Sequence, residues 1–295
     1  MSDTRSNECG ARVCYQTRMT RSLVIALLVL ATGCPGKGGA DRTYPAPAVA
    51  TVTQKLKEAR DAMTSFRGDS TMDYWLSGQR AKGEVLVMGA AGKRVRFAAL
   101  SPAGGSTLAE MACDGTNFVY LDYQNNCVLT GPCDARSIAT FFNIELEPDD
   151  FLHLALGTPP VLADATGTVT WDGSKGVERV DLKSAAGSQK LTIDAKEGRW
   201  DVLDSELKTP DGKTTWSVAN TDFAKVTGSG ERRVPKKTRF KSPAQNQDLL
   251  VEWNELEVNV TLQPAQFQIQ IPAGLGTCGQ KPAAAAPAAG APAPK

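Results

Sequence analysis

A chain of 295 residues, 41% of them hydrophobic, can bury a sizeable core as one large domain or two small ones. Its 33 basic and 32 acidic residues leave a formal charge of +1, which gives no electrostatic footprint for nucleic acid. Its seven cysteines include no C-x-x-C pair, which argues against a zinc ribbon or a thioredoxin-type site.

In chain order, the first signal is an apolar run from Leu23 to Leu30 behind Arg21. It falls well short of the ~20 residues a membrane-spanning helix needs and fits the apolar region of a secretory signal. The run ends Leu30-Ala31-Thr32-Gly33-Cys34, which resembles the lipobox of bacterial lipoproteins, with Ala31 where leucine is more usual. The resemblance implies diacylation of the Cys34 thiol, cleavage before it, and acylation of the new amino group. Several acyl chains anchor firmly where a single one binds marginally. A plain secretory signal with an accidental cysteine is the alternative. Met19 opens the better signal, so residues 1–18, with Cys9 and Cys14, are read as preceding the true start. Pro35, rather than aspartate, follows the cysteine, and by the sorting rules of such lipoproteins this points to the outer membrane. Residues 1–33 carry four Arg and two acidic residues, so their removal leaves a net charge of about −1.

Residues 34–50 read as the lipid anchor and a flexible linker, because Gly and Pro keep them from packing. The folded domain is expected over residues 51–279. Residues 280–295, mostly Ala and Pro, read as a disordered or polyproline-like tail. Thr51-x-x-Gln54 resembles a capping box, and Val52, Leu56, Ala59, Met63 and Phe66 then recur at spacings of three and four. That predicts a helix with one apolar face, which must cover something. Strands follow at residues 83–89, 94–99, 107–113 and 117–123, with turns at 89–92, Asp114-Gly115 and Asn125-Asn126. They predict a meander of sequential antiparallel strands.

A helical interruption comes next. Asp134 caps a segment carrying Ile138, Phe141 and Phe142; Pro148 opens a second helix, Asp149 and Asp150 suit its N-terminus, and Gly157 ends it. Phe151, Leu152, Leu154, Ala155 and Leu156 are more apolar surface than one exposed face allows, so this helix is buried or forms a lid. The second half returns to strands. Val180 with Leu182, Leu191 with Ile193, and Leu203 with Leu207 mark inward faces, and Leu256, Val258, Val260 and Leu262 share one parity. Phe267, Ile269 and Ile271 alternate with Gln266, Gln268 and Gln270, as a last strand would. The basic cluster between Arg232 and Lys241 is read as a solvated strand and turn rather than an anionic-lipid patch.

Four cysteines, Cys113, Cys127, Cys133 and Cys278, lie in the domain, and an even number in an exported chain reads as two disulfides. Three pairings are open. Cys127 and Cys133 flank a Val-Leu-Thr-Gly-Pro stretch read as a turn, so that pair is favoured, which leaves Cys113 for Cys278.

One antiparallel sheet of about eleven strands must bury its concave face, either as a sandwich or as a curled half-barrel stopped by helices. The order of elements is similar to that of the lipoprotein-localisation family, the LolA-type periplasmic carriers and LolB-type outer-membrane receptors. The residues that carry the resemblance are Ser101-Pro102-Ala103-Gly104-Gly105-Ser106-Thr107, the two helical stretches from Gly131 to Leu146 and Pro148 to Pro159, and residues 259–272, similar to the family's closing strands. About two-thirds of the domain matches by pattern. The resemblance implies a mainly β fold with helices: an incomplete β-barrel plugged by the N-terminal helix and the two short central helices.

It also implies a function, the binding of lipid or lipoprotein acyl chains between sheet and helices, with acceptance and insertion of lipoproteins at the outer membrane and a periplasmic carrier as an open partner. Phe97, Met111, Phe118, Tyr120, Phe151, Leu154 and Trp253 are the candidate wall residues. Pro102 and Ala103 stand in the loop that faces the membrane, and Ala103 replaces the leucine that dips into the bilayer in the receptors. The alternative is a structural or scaffolding lipoprotein with a filled interior that binds a protein partner. An enzyme is not expected, and neither a cofactor nor a metal. No Gly-x-Ser-x-Gly occurs, and His153, the single histidine, sits in the apolar second helix. Gly274-Leu-Gly-Thr-Cys-Gly279 fits a dinucleotide loop by letters but opens no helix.

Overall fold

The computed structural model describes residues 39–279, apart from 77, 78, 103, 104 and 143 and the side chains of 74–76, 79 and 141. The expected signal segment, Cys34, Ala103 and the Ala/Pro tail lie outside the described residues.

Helix α1 (Val49–Asp61) is followed by β1 (Ser65–Leu76), β2 (Gln79–Ala90), β3 (Arg94–Leu100), β4 (Thr107–Asp114), β5 (Asn117–Asp122) and β6 (Cys127–Pro132). Helices α2 (Ala135–Phe142) and α3 (Pro148–Ala155) then precede β7 (Thr166–Asp172), β8 (Val177–Ser184), β9 (Gly187–Asp194), β10 (Asp201–Lys208), β11 (Thr214–Ala224), β12 (Val234–Ser242), β13 (Gln247–Val258) and the two-residue β14 (Gly276–Thr277). All fourteen strands form one sheet, ordered β14-β6-β5-β4-β3-β2-β1-β13-β12-β11-β10-β9-β8-β7. Two antiparallel meanders are thus joined along β1 and β13, and β14 adds a short parallel edge to β6. The sheet curls without closing: the protein is mainly β, an incomplete barrel with helices.

The seam between the meanders contains a β-bulge. Along β1, Phe66, Gly68, Ser70 and Met72 face Val258, Leu256, Trp253 and Val251, so β13 carries one extra residue between Trp253 and Leu256. Side chains alternate strictly along a strand, and an extra residue switches the inward parity. Leu249, Val251 and Trp253 therefore share the buried face with Leu256 and Val258.

The concave face holds two separate cores. In one, Phe66, Phe97, Met111 and Trp253 from the first meander and the seam pack with Phe142, Phe151 and Leu154 of α2 and α3. In the other, Val52 and Leu56 of α1 cover Val180, Leu182, Leu191, Ile193 and Val202. Helix α1 thus packs as its periodicity predicts, but its boundaries differ. It begins at Val49, its N-cap Ala48 makes no side-chain cap bond, and the Thr51/Gln54 capping box does not form. Phe66 leaves the helical register and enters β1.

Further expectations are corrected. The flexible linker expected over 34–50 gives way to docked chain from Gly39 onward. Ala40 N–H donates to Gly173 O (2.7 Å), Trp171 Nε1 donates to Ala40 O (2.7 Å), and Tyr44 meets Trp171 edge-on at 6.1 Å between ring centroids. Arg42 Nη2 pairs with Glu178 Oε2 at 2.8 Å, and the Glu178 side chain is fully buried. The strand expected around residues 259–272 is instead a 3₁₀ turn (Pro264–Phe267) with irregular flanks. Asn259 is left-handed (φ 55°), and Pro264 and Pro272 have no N–H for a ladder. Of the alternating apolar residues, Phe267 is buried while Ile271 is 47% exposed. In β10 the inward residue is Val202 rather than Leu203, because a register shift falls between Val202 and Asp204.

The disulfides join Cys113 to Cys133 and Cys127 to Cys278, with Cα separations of 5.6 and 4.9 Å. The favoured pairing fails because residues 127–132 form a strand, not a turn. Cys127 and Cys133 lie at its two ends, about 20 Å apart at ~3.3 Å per residue, far beyond the ~7 Å limit between bridged Cα atoms. Non-reducing digestion should recover these two linked peptide pairs and no Cys127–Cys133 peptide. Cys127→Ser with Cys278→Ser, which opens the longer loop, should cost about 2–5 kcal/mol in urea denaturation.

Candidate functional site

The first hollow is built by β1 to β5 and β13, and its stopper is α2 with α3. Each helix is locally specified. Asp134 Oδ1 accepts the Arg136 N–H at 2.9 Å at the start of α2. Pro148 occupies the first turn of α3, and Gly157, left-handed at φ 79°, ends it. Asp149 and Asp150 do more than favour a helix N-terminus. Asp149 Oδ1 accepts the backbone N–H of Lys93 in the β2–β3 turn (2.8 Å), and Asp150 Oδ1 pairs with Arg60 Nη2 of α1 (2.6 Å). Lys93 Nζ pairs with Glu147 at 2.8 Å, and Trp253 Nε1 donates to Ala155 O at 3.3 Å. The first three contacts fasten α3 to the rim and the fourth, which is buried, to the wall.

Inside, three phenylalanines interlock. Phe97 meets Phe142 at 4.9 Å and Phe151 at 5.5 Å, both edge-to-face, while Phe142 and Phe151 stack at 5.1 Å. Both geometries suit aromatic quadrupoles. Gly89 lets α3 approach: a Cβ there would lie 2.7 Å from Leu152 and 2.8 Å from Phe66. The predicted wall residues Phe97, Met111, Phe118, Phe151, Leu154 and Trp253 are all buried in this one core, with Tyr120 partly buried against it. Pro102 is exposed on the β3–β4 loop; Ala103 lies outside the described residues. The side chains of wall and stopper are buried against one another. A cleft at the edge of α3, lined by Phe66, Leu152, His153 and Leu156, holds about 10 Å³.

No family model matches the sequence, and no curated relative does either. Among solved structures, a DUF1329 family protein from Desulfovibrio piger aligns with 75% of this chain and 97% of its own, at 12% identity and a TM-score of 0.51. A LolA superfamily protein from Nitrosomonas europaea aligns with 76% of this chain and 99% of its own, at 9% identity and 0.49. A domain assigned as an outer membrane lipoprotein-sorting protein from Vibrio parahaemolyticus covers 73% and 94%, at 8% and 0.46. The first of these matches shares the fold, an open curled sheet with helices, and that architecture is the one the LolA/LolB resemblance of the sequence implies. At such identities the likeness speaks for the fold alone, and the two matches below 0.5 add no weight.

Within this LolA/LolB-like frame, some features had no signal in the sequence. The Arg60–Asp150 pair links residues 90 positions apart, and neither lies on an apolar face. Gln189 shares the inward parity of Leu191 and Ile193 but is a fully buried amide. The basic cluster behaves as a solvated strand: Lys237 pairs with Glu252 at 3.1 Å and Arg239 with Asp248 at 2.5 Å.

His153 is half-buried, with Nδ1 3.2 Å from Thr158 Oγ1. Burial, assisted by Arg60, holds its pKa down at about 4 against an ordinary 6.5. The imidazole is therefore neutral near pH 7. Between pH 6.5 and about 4 the unfolded chain takes up a proton that the folded one refuses, so stability falls as pH drops through that window and levels off below it. The loss from this group is on the order of 3 kcal/mol. His153→Gln should flatten that part of the pH profile in urea titrations; an unchanged slope would assign the loss to other groups.

Proposed function

We propose that this chain is a membrane-anchored protein of the bacterial envelope that binds acyl chains of lipids or lipoproteins in the first hollow, with α2 and α3 as a displaceable plug. One observation supports this reading: the concave face of the sheet is covered by side chains of two eight-residue helices, which pack against the inward side chains of the strands. Helices this short have little stability of their own and persist through tertiary packing. Three polar contacts at the rim, to Lys93 N–H, Lys93 Nζ and Arg60, hold α3 together with one buried bond from Trp253, so breaking the rim contacts loosens the filling without disturbing the wall. No helix among the described residues is long and apolar enough to cross a membrane. The anchor in this reading is lipid on Cys34, with Pro35 directing it to the outer membrane. Binding, not catalysis, is the proposed activity. Acceptance of lipoproteins from a periplasmic carrier and their insertion is its more specific form, and Ala103, small where the receptors carry leucine, weighs against strong insertion.

The filled hollow itself supports a second reading, a structural lipoprotein that binds a protein partner. One titration separates the two. Purified protein should bind a fluorescent fatty acid, and Asp149→Ala, which removes the acceptor of the Lys93 N–H without touching the wall, should bind it several-fold more tightly. If neither protein binds, the structural reading stands. For the anchor, Cys34→Ala should abolish fatty-acid labelling and shift the protein from the membrane to the soluble fraction.

A further inference from the structure

The docking of residues 39–44 limits how the protein can stand on its anchor. At the turn between β7 and β8, Ala40 N–H donates to Gly173 O and Trp171 Nε1 donates to Ala40 O, both at 2.7 Å. Gly39 packs so closely there that a Cβ on it would lie 3.1 Å from the Gly173 carbonyl carbon. Two residues further on, Arg42 pairs with Glu178, whose side chain is fully buried, and its guanidinium lies 5.5 Å from the centre of the Trp171 ring. A buried carboxylate left without its partner is costly, so Glu178 holds this strap in one place.

Cys34 precedes Gly39 by five residues, which reach at most about 18 Å when fully extended. A linker free as far as α1 would reach about 50 Å and allow any orientation of the domain. The docked strap allows only those that bring the β7–β8 turn close to an anchor at Cys34.

Strand polarity sets what lies at the other end. Nine antiparallel pairings separate β3 from β7, so these two strands run in opposite senses. The β3–β4 loop, with its exposed Pro102, and the β7–β8 turn therefore leave opposite ends of the sheet. Each strand has seven residues, or about 23 Å at ~3.3 Å per residue, which is more than the tether spans. The turn end also suits lipid headgroups. Tyr44 and Trp171 are half-buried there and are residue types that favour a membrane interface. Lys175 is exposed, Lys196 lies beside Gly176, and neither has an ion pair among the described residues, against the unpaired carboxylate of Asp41.

We propose that residues 39–44 and the β7–β8 turn form the membrane-facing surface of the protein, held against the headgroups of the bilayer that anchors Cys34, with the β3–β4 loop pointing away from it. The inference rests on the lipid-anchor reading above and reverses the orientation that the sequence resemblance implies. In the test, lipidated protein purified from membranes is reconstituted into vesicles of phosphatidylethanolamine and phosphatidylglycerol that carry a headgroup quencher. A fluorophore is attached at Ser174→Cys in one variant and at Ser106→Cys in another, both at exposed positions. Quenching should be several-fold stronger at Ser174→Cys. A Gly/Ser insert of about fifteen residues after Lys37 lengthens the reach to that of an undocked linker and should bring the two signals together. Equal quenching without the insert, or stronger quenching at Ser106→Cys, in protein that floats with the vesicles overturns the orientation alone. Protein that does not float with them overturns the anchor reading and the orientation with it.

Discussion

An open curled sheet has a concave apolar face that its own strands cannot cover, and the rest of this protein follows from that constraint. A closed barrel would fill its interior from opposing strands. Here β7 and the β6–β14 edge are the two ends of a fourteen-strand sheet, so covering must come from helices. It comes twice, from α1 over the second meander and from α2 and α3 over the first. The covers differ in kind. Helix α1 has thirteen residues and lays a narrow stripe, with Val52, Leu56 and Ala59 buried. Helices α2 and α3 have eight residues each and drive aromatic side chains into the wall. The first cover is a lid resting on a floor; the second is a stopper whose own volume completes the core.

Buried polar groups fix where these covers sit. Glu178 holds Arg42, Gln189 holds the α3–β7 chain, and Asn220 bridges Val202 O and Thr238 Oγ1 within β10 to β12. Asp201 pairs with Arg233, yet burial outweighs the guanidinium and holds its carboxyl above the ordinary range. Such pairs contribute little net stability, because desolvation offsets attraction. What they contribute is placement: a buried carboxylate or amide tolerates one arrangement of its partners, whereas apolar contacts tolerate several.

How far the sequence disclosed this depended on the range of the information. Helices α2 and α3 were legible because their signals are local: Asp134, Pro148 and Gly157 stand at the ends they define. Strand β3 was legible from alternation and β5 from a run of β-favouring residues. Strand β1 was not, because Gly68, Ser70 and the outward aspartates erase its pattern; Gly68 is glycine since a Cβ there would lie 2.8 Å from the Trp253 ring. The disulfide pairing needed register, which composition does not contain. The docking of residues 39–44 needed partners about 130 positions away. Residues 266–271 show the opposite failure, perfect alternation with no strand to express it, because left-handed Asn259 and the prolines remove the ladder. The wall residues of the hollow were legible as apolar, and the hollow gathers them; how closely the stopper packs against them is a matter of summed side-chain volume, which no periodicity reports.

A filled hollow and a ligand-binding hollow are not thermodynamic opposites. The stopper buries Ile138, Phe142, Phe151, Leu152 and Leu154. At roughly 1.5–3 kcal/mol for each large apolar side chain, that is on the order of 10 kcal/mol. An acyl chain that buried about a dozen methylenes at about 0.8 kcal/mol each would return a similar sum. Exchange of one filling for the other is then close to neutral in its hydrophobic part, and the balance passes to the smaller polar contacts that hold α3 to Lys93, Arg60 and Trp253. Those contacts are few, and all but the buried Trp253 bond lie at the rim, between groups that water can solvate once they separate. A wall that stays rigid while its filling is exchangeable needs this division of labour: strong, non-directional forces that cancel between two occupants, and weak, directional ones that decide between them.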